Sequence, residues 1–350
     1  MSVVTYRYRV KNLNGLLNAQ ARAVNFVWNF CNDTQKHALR WNKKWPSAYD
    51  LMKLTTGSSK ELGVAANSIN TVCALYDRSR RAKKKPFLRY RGKRSLGWVP
   101  FRASQVRLLD DGFLIFGAKF RVFKSRPIPA CKIVDGGSFS QDARGNWFVN
   151  VAVEILDTPL RDLKTGVGID LGLKDFAALS TGEKIEAPKH FRSLEKKLST
   201  SHRARKGRQA RNICARIAAR RKDFLHKLSH RITRDFDYIA VGNVNAAGLS
   251  KTHLGKSVGD ASWTTFRNFL RYKAIGRGAW YEEVSERFTS LTCSACGAVD
   301  QQRPKGIAGL GIRHWVCDEC GASHDRDVNA AINILARHGF VTLVEGATNE

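Results

Sequence analysis

Acidic side chains are scarce in this chain of 350 residues. Its 30 Asp and Glu stand against 60 Lys and Arg, which leaves a formal net charge of +30 at pH 7. An excess of this size costs self-repulsion unless a polyanion neutralises it. The charge balance therefore indicates a protein with an anionic partner, and a nucleic acid is the partner that we expect.

Long apolar runs are also missing. No run approaches the roughly 20 residues that span a membrane, and the opening "MSVVTYRYRVKN" is polar and alternating, unlike a signal peptide. We therefore expect an intracellular protein with no membrane partner. Hydrophobic residues make up 43% of the sequence, which at this length is enough for about one to three domains with a real core.

Four of the eight cysteines stand in two closely spaced pairs. "CSAC" holds Cys293 and Cys296, "CDEC" holds Cys317 and Cys320, and twenty residues separate the pairs. Two such knuckles deliver four thiolates tetrahedrally to Zn²⁺ at about 2.3 Å. A glycine follows each pair, as tight knuckle turns require. We predict a structural zinc ribbon, and since four protein thiolates leave no open position, the zinc should not be catalytic.

The first 160 residues are expected to combine strands with an inserted group of helices. "VVTYRYRV" (3–10) alternates like a strand, and residues 13–80 carry apolar side chains at three- and four-residue steps, as helices do. A basic connection (78–95) broken by Pro and Gly follows, and residues 96–158 are again typical of strands. A short polar stretch marks a boundary near residue 163.

The remaining residues predict a second unit built on a mixed sheet. "GVGID" is a short buried strand that ends on Asp170, and "FAALS" and "KIEA" are expected to form the next two antiparallel strands. A long basic helical region (190–232), the strand "YIAVGNV", a helix, the strand "YEEVSERFTS" and the helix "HDRDVNAAINIL" complete the series. This order of elements is typical of an RNase H-like fold.

Two aspartates are expected to meet at one end of that sheet. Asp170 ends the central strand, and Asp327 lies in the first turn of the last helix. Asp325 and Asp327 project about 200° apart on a helix, so only one of them can face the site. Asp325 is the better N-cap candidate, and we therefore place Asp327 in the site. Paired carboxylates bind two Mg²⁺ ions roughly 3.5–4 Å apart and support phosphodiester cleavage. We therefore predict a magnesium site that includes Asp170 and Asp327.

The basic helical region has few acidic residues to pair with its Lys and Arg. A run of like charge on a helix is usually a solvated face, but here contact with a nucleic-acid backbone is the better interpretation. The nucleic-acid-binding residues that we nominate are Arg203, Arg205, Lys206 and Arg208.

Several stretches together resemble TnpB, a transposon-associated family of RNA-guided endonucleases ancestral to Cas12. They are "GIDLGLKDFAALSTGEKI", "RRKDFLHKLSHRI", "KSVGDASWTTFRNFLRYKA", "TCSACG" and "CDECGASHDRDVNAAINIL". The match covers about residues 160–340, and over residues 1–160 the resemblance is one of layout.

The resemblance implies a multidomain chain of the α+β and α/β classes. The implied domains are a wedge-like β-barrel (1–10 and 86–160), a helical recognition domain inserted in it (11–85), an RNase H-like nuclease domain of the RuvC type (161–289 and 324–350) and a zinc-ribbon insertion that binds target nucleic acid (290–323). It also implies that Asp170 is the first catalytic acid and Asp327 the third. The implied partners are a guide RNA and a target DNA, with the protein acting as a monomer with its RNA in the prokaryotic cytoplasm, near the nucleoid.

One departure from the family pattern concerns the second catalytic acid. The family usually has a Glu at the end of the strand that here reads "YIAVGNV", and Gly242 stands in its place. Asp260, the next acid along, is expected to cap the start of a helix, with Ser262 as the alternative cap, and is a poor replacement. The strand "YEEVSERFTS" should run parallel beside "IAVGNV" and offers Glu282, Glu283 and Glu286. We nominate Glu286, because it is nearest the end that faces the site.

Three functions remain open from the sequence. The first is an active RNA-guided DNA endonuclease with a relocated Glu. The second is a nuclease-dead, RNA-guided DNA binder that represses transcription. The third is a zinc-ribbon protein that binds nucleic acid without a guide. Retention of Asp170 and Asp327 favours the first, since a dead site need not keep them.

Overall fold

The computed structural model of the chain describes residues 2–125, 127, 133–155, 158–299 and 313–337. The chain divides into two compact units, Met1–Leu156 and Asp157–Glu350, and the two are described separately below. Within the described ranges, no helix is both long enough and apolar enough to cross a membrane.

Helices form one part of the first unit. They are α1 (Asn14–Arg40), α2 (Ala48–Leu54), α3 (Ser59–Leu62) and α4 (Ala66–Ala82). A stripe on α1 that includes Leu17, Val24 and Cys31 is buried, as its helical spacing predicts. Val24 and Cys31 pack against the buried face of α4 around Val72 and Tyr76, whereas Leu17 belongs to the core of the strands. Mainly helical structure over residues 13–80 is therefore confirmed.

Strands form the other part of the first unit. They are β1 (Ser2–Arg9), β2 (Trp98–Phe101), β3 (Val106–Leu109), β4 (Gly112–Ile115), β5 (Ala118–Arg121), β6 (Ile133–Gln141) and β7 (Trp147–Ile155). They make an antiparallel four-stranded sheet in the order β1-β7-β6-β2 and a three-stranded sheet in the order β3-β4-β5. Phe113, Phe120, Phe139 and Trp147 share one buried core. The implied barrel does not close within the described residues, where the two sheets are joined by a bridge between Val10 and Val122.

The second unit is built on a five-stranded sheet. Its strands are β8 (Gly166–Leu171), β9 (Asp175–Leu179), β10 (Lys184–Glu186), β11 (Tyr238–Gly242) and β12 (Trp280–Val284). Their order is β10-β9-β8-β11-β12, with β10, β9 and β8 antiparallel and β8, β11 and β12 parallel. The predicted parallel pairing of the "IAVGNV" and "YEEVSERFTS" strands is therefore confirmed. Runs such as Val167–Ile169 and Ile239–Val241 are apolar throughout, because helices cover both faces of this sheet.

The helices of the second unit differ from expectation in two places. They are α5 (Glu195–Arg203), α6 (Gly207–Asp235), α7 (Ala246–Leu249), α8 (Gly255–Ala261) and α9 (Trp263–Ile275). The basic region is two helices, because the chain turns at 204–206 with Arg205 at a φ of 53°. The expectation that Asp260 begins a helix was wrong: it lies in the last turn of α8, where it accepts hydrogen bonds from Phe191 and Arg221.

A short hairpin and a final helix complete the described chain. They are β13 (His314–Val316), β14 (Ser323–Asp325) and α10 (Arg326–Ala336). Helix α10 lies directly on β8, where a Cβ built on Gly168 would be 2.8 Å from the backbone nitrogen of Leu335. Only glycine allows so close an approach, which brings the start of α10 to the end of β8 that carries Asp170.

Candidate functional site

The three nominated carboxylates line one cavity of about 540 Å³ in the second unit, together with Asp175 at the start of β9. Asp170 comes from the end of β8, Asp327 from the first turn of α10, and Glu286 from the segment just after β12. The parallel strands and the close packing of α10 bring these three chain segments together. The carboxylates that the sequence nominated therefore share one cavity.

Glu286 takes up the space beside Gly242. A Cβ built on Gly242 would lie 2.7 Å from Cγ of Glu286 and 2.8 Å from its Cδ. Gly242 pairs with Val284 in the parallel ladder, two residues before Glu286. Any larger side chain at position 242 would therefore displace Glu286.

The surroundings of Asp170 and Glu286 raise the pKa of both carboxyl groups. Burial, then the charges of Glu286 and Asp327, raise the pKa of Asp170 to about 8. Burial also raises the pKa of Glu286 to about 7, against the lowering effect of a backbone hydrogen bond at Val244. Oε1 of Glu286 is buried and has no hydrogen-bond partner among the described residues. A bound cation would offset the burial and the mutual repulsion that raise these pKa values, so the carboxylates are suited to bind one.

The two aspartates of the last helix have different surroundings. Asp325 is the N-cap of α10: its Oδ1 accepts from the backbone N–H groups of Asp327 and Val328, each at 3.1 Å. Its other oxygen is 2.5 Å from Nζ of Lys184, and Asp325 does not line the cavity. Asp327 does line it, which agrees with the preference for Asp327 over Asp325.

Glu282 and Glu283 have partners away from the cavity. Glu282 accepts a hydrogen bond from the Tyr238 hydroxyl at 3.2 Å. Glu283 is paired with Arg267 at 3.3 Å and with Arg271 at 2.5 Å. Neither side chain lines the cavity that contains Glu286. Of the three acids that the sequence offered in this strand, the structure brings only Glu286 to Asp170 and Asp327.

Two arginines in the cavity were missed by the sequence analysis. Arg313 is paired with Asp327, and the backbone N–H of Arg326 donates to the Arg313 carbonyl at 2.7 Å. Arg313 directly precedes β13, whose pairing with β14 aligns His314 with Asp325. A hairpin whose strands flank the second cysteine knuckle would have predicted this neighbourhood, because the next pair along the same register is Arg313 and Arg326.

The four paired cysteines form a cluster that could bind a metal. Their sulfur atoms all lie within 4.8 Å of one another. In each knuckle a glycine with positive φ donates its N–H to the carbonyl of the first cysteine: Gly297 to Cys293 at 2.9 Å, and Gly321 to Cys317 at 2.8 Å. The N–H of Cys320 lowers the pKa of the Cys317 thiol to about 6. Four thiols in this arrangement match the donor set of a tetrahedral soft-metal site.

The first knuckle is fastened to the helix that carries Asp327. The Asn329 amide donates to the Thr292 carbonyl at 2.8 Å and accepts from the Ser294 N–H at 2.9 Å. The Asn333 amide, one turn further along, donates to the carbonyls of Thr289 and Thr292 at 2.8 and 2.7 Å. Asn329 is almost fully buried. The cysteine cluster and the carboxylate cavity therefore share one supporting helix.

The four nominated basic residues lie at the turn between α5 and α6. All of them are exposed, and none forms an ion pair with another residue in the described part of the chain; they are Arg203, Arg205, Lys206 and Arg208. Beside this turn, an open groove of about 690 Å³ is lined by Lys206 and by three further basic residues, Lys196, Lys197 and Arg216. No Asp or Glu lines this groove, so its basic side chains can contact the phosphates of a nucleic-acid backbone without competition from an acidic residue.

Two family models match separate parts of the chain. Residues 149–253 match a probable transposase, OrfB of IS605, and residues 263–334 match the TNB domain of Cas12f1-like proteins. Both matches point to one class of protein, which is associated with transposons and related to Cas12.

Comparisons over most of the chain identify the family. A "Putative RNA-guided DNA endonuclease" from Streptomyces pristinaespiralis is 34% identical over 314 residues, covering 84% of this chain and 75% of the relative. A "Putative RNA-guided DNA endonuclease InsQ" from Escherichia coli (strain K12) is 26% identical and covers 85% of this chain and 78% of the relative. The chain belongs to the TnpB family. The chain is also similar to Cas12f1 in a cryo-EM structure with sgRNA and target DNA, over 97% of this chain and 100% of that chain, at 14% identity and a TM-score of 0.39.

Proposed function

We propose that the protein is an RNA-guided DNA endonuclease of a transposon, and that it cuts DNA paired to a bound guide RNA. The observation that carries this proposal is the position of Glu286. Its side chain fills the space beside Gly242 and adds a carboxylate to the cavity of Asp170 and Asp327. Glu286, just after the neighbouring strand, would thereby supply the acid that the family usually has where this chain has Gly242. The relatives named above, which are described as RNA-guided DNA endonucleases, support the same activity.

The carboxylate cavity suits Mg²⁺. Its donors are hard oxygens, one of them is a buried carboxylate oxygen without a partner, and the charges of its neighbours raise the pKa of Asp170. The residues that would hold the ion are Asp170, Glu286 and Asp327. When bound, Mg²⁺ supplies an acidified water and neutralises charge on the phosphate.

The arginines of the cavity would bind the DNA backbone. A guanidinium presents a planar fork of donors that matches a phosphate, and it stays charged at every relevant pH. Arg313 already lies against Asp327, so a phosphate beside that carboxylate would be within its neighbourhood. Arg326 lines the same cavity from the start of α10. Together they would hold the cleaved strand against the carboxylates and offset its charge.

The wider architecture supports the same function. A sheet in the order β10-β9-β8-β11-β12, with Asp170 at the end of its central strand, is consistent with an RNase H-like nuclease domain of the RuvC type. We assign Zn²⁺ to the cysteine cluster, as a structural ion of a target-binding ribbon over residues 290–323. We also propose that guide RNA and target DNA are the partners, and that one copy of the protein acts with its RNA in the cytoplasm near the nucleoid.

Purification together with the RNA of its own locus tests this proposal. We expect one discrete RNA species to copurify, and a plasmid that matches this RNA to be cut in Mg²⁺ but not in EDTA. A mixture of RNAs without preferred sequence would favour the unguided zinc-ribbon protein. One discrete RNA with no cutting, but with repression of a matched promoter, would establish the nuclease-dead binder instead.

Enlarging position 242 should displace Glu286 and reduce cutting. Gly242→Ala puts a methyl group into the space of the Glu286 carboxylate, and a misplacement of about 1 Å can lower a rate by about 100-fold. We expect a loss of about that size in single-turnover cutting. Gly259→Ala is the matched control, because a Cβ there meets nothing within 4 Å. Gly242→Glu combined with Glu286→Ala should recover part of the activity, and a Gly242→Ala variant as fast as the parent would contradict the argument.

Removing charge at the turn between α5 and α6 should weaken nucleic-acid binding. We expect the variant with Gln at positions 203, 205, 206 and 208 to bind less tightly and with a smaller salt dependence. Each lost phosphate contact lowers the slope of log K against log salt by about 0.9 for duplex DNA and about 0.7 for single strands. Arg107→Gln and Lys164→Gln, at exposed residues, are control changes outside the turn. An unchanged slope in a salt titration would show that this turn is only solvated.

A further inference from the structure

A second cavity in the same unit, of about 360 Å³, lies outside the carboxylate cluster. Its walls come from the segment 187–192 after β10, from α6 and from α8. The apolar residues that line it are Leu173, Phe176, Ala187, Pro188, Phe224 and Ala261. The volume falls in the range of about 300–1,000 Å³ that is typical of small-ligand sites.

The polar groups of this cavity are incompletely paired. The Asp260 carboxylate accepts from the backbone N–H of Phe191 and from the Arg221 guanidinium, both at 2.9 Å, and its side chain is only 9% exposed. Nε2 of His190 and Nε of Arg221 are buried without a hydrogen-bond partner among the described residues. Buried polar atoms are rarely left unpaired. A ligand with a hydrogen-bonding edge would satisfy them.

The aromatic side chains of the cavity are suited to a flat aromatic ligand. The rings of Phe176 and Phe224 meet edge to face at 5.1 Å, and His190 packs against Phe224 at 6.2 Å. Pro188 and Lys189 are exposed, so the mouth of the cavity opens at the surface. Planar bases held by aromatic and apolar side chains, with donors and acceptors at the edge, are how proteins bind unstacked nucleobases.

The position of the cavity indicates which strand supplies the base. Leu173 lines both this cavity and the one that contains Asp170, Glu286 and Asp327, so a single side chain forms part of the wall between them. We propose that the cavity of His190, Arg221 and Asp260 is a nucleobase subsite, which takes an unstacked base of the single-stranded DNA that is led to the carboxylates. This inference rests on the proposed endonuclease function and adds a binding site to it.

The test reads base binding without cutting. The RNA complex of the Asp170→Ala protein is mixed with matched DNA that carries 2-aminopurine at successive positions of the strand near the cut. Emission of 2-aminopurine depends on stacking, so we expect a change confined to one or two adjacent positions. Ser257→Leu and Ala187→Leu, which fill the cavity from two sides, should remove this change.

Affinity gives a second readout. An abasic residue at the responsive position, or either filling variant, should weaken binding of the DNA strand by about 5- to 150-fold, the range for one stacked base. His190→Phe keeps the ring and removes its nitrogen atoms, and it should lower affinity for the natural base without affecting the abasic strand. Gly259→Leu is the matched control, because it adds a side chain to α8 where a Cβ meets nothing within 4 Å.

Three results would overturn the assignment. They are the absence of any position-specific emission change, a change that survives in both filling variants, and a change that follows 2-aminopurine in the guide RNA rather than in the DNA. Because cutting is not measured, the result is separate from the endonuclease proposal. A protein that never cuts DNA could still show the subsite, and a cutting protein could fail to show it.

Discussion

Replacing Glu286 with Gln is expected to abolish DNA cutting while guide RNA and target remain bound. The carboxamide keeps the shape that fills the space beside Gly242, but it removes the negative charge from the cavity. If Glu286 holds Mg²⁺ with Asp170 and Asp327, the loss of one carboxylate should lower the cutting rate by at least about 100-fold. Asp170→Asn and Asp327→Asn should have effects of similar size. Single-turnover cutting of a matched plasmid, with binding measured on the same samples, gives the comparison.

Glu282→Gln is the matched control for this series. It makes the same chemical change on the same strand, at a side chain that accepts from Tyr238 and lies outside the cavity. We expect its cutting rate to stay within a few-fold of that of the parent. If Glu286→Gln cut at the parental rate, Glu286 would be removed from the site. Glu283 would then be the next acid to test, although its pairing with Arg267 and Arg271 would first have to be broken.

The sequence alone predicted the chain segments that meet at the carboxylates. Apolar runs in "GVGID" and "YIAVGNV" mark strands buried on both faces, and such strands are paired in parallel. Once β11 and β12 are parallel neighbours, an acid just past the end of β12 must lie near the end of β11. This is why Glu286 could be nominated against Gly242. The close contact of Gly168 with α10 was not predicted, because a glycine within a strand has several explanations.

Tertiary pairing set the limits of sequence-based prediction. Alternation in residues 96–158 indicates strands, but it does not specify which strand edges pair, and the implied barrel is two sheets in the described residues. The turn at 204–206 has no Pro, and its basic residues would suit a continuous helix equally well. Arg313 was missed because its partnership with Asp327 depends on the register of the hairpin that flanks the second knuckle.

Replacing Cys293 with Ser is expected to release Zn²⁺ from the protein. The cluster would lose one of four thiolates that lie within 4.8 Å of one another. Binding of structural Zn²⁺ contributes roughly 10–16 kcal/mol in small zinc modules, and much of that free energy stabilises the fold of the metal site. Cys317→Ser should have the same effect. Metal analysis by mass spectrometry should show about one zinc per parent chain and almost none in either variant, whereas Cys214→Ser, an exposed cysteine outside the cluster, should keep its zinc.

Loss of zinc should also reach the carboxylate cavity through α10. Asn329 and Asn333 tie that helix to the backbone at Thr289, Thr292 and Ser294, which borders the first knuckle. If the knuckle loosens, these hydrogen bonds lose their fixed partners, and the turn that carries Asp327 loses part of its support. We therefore expect faster amide hydrogen exchange over residues 290–299 and 313–329 in Cys293→Ser, together with slower cutting. Exchange that rose only within the knuckles, with cutting unchanged, would mean that α10 holds Asp327 in place through its contact with β8 alone.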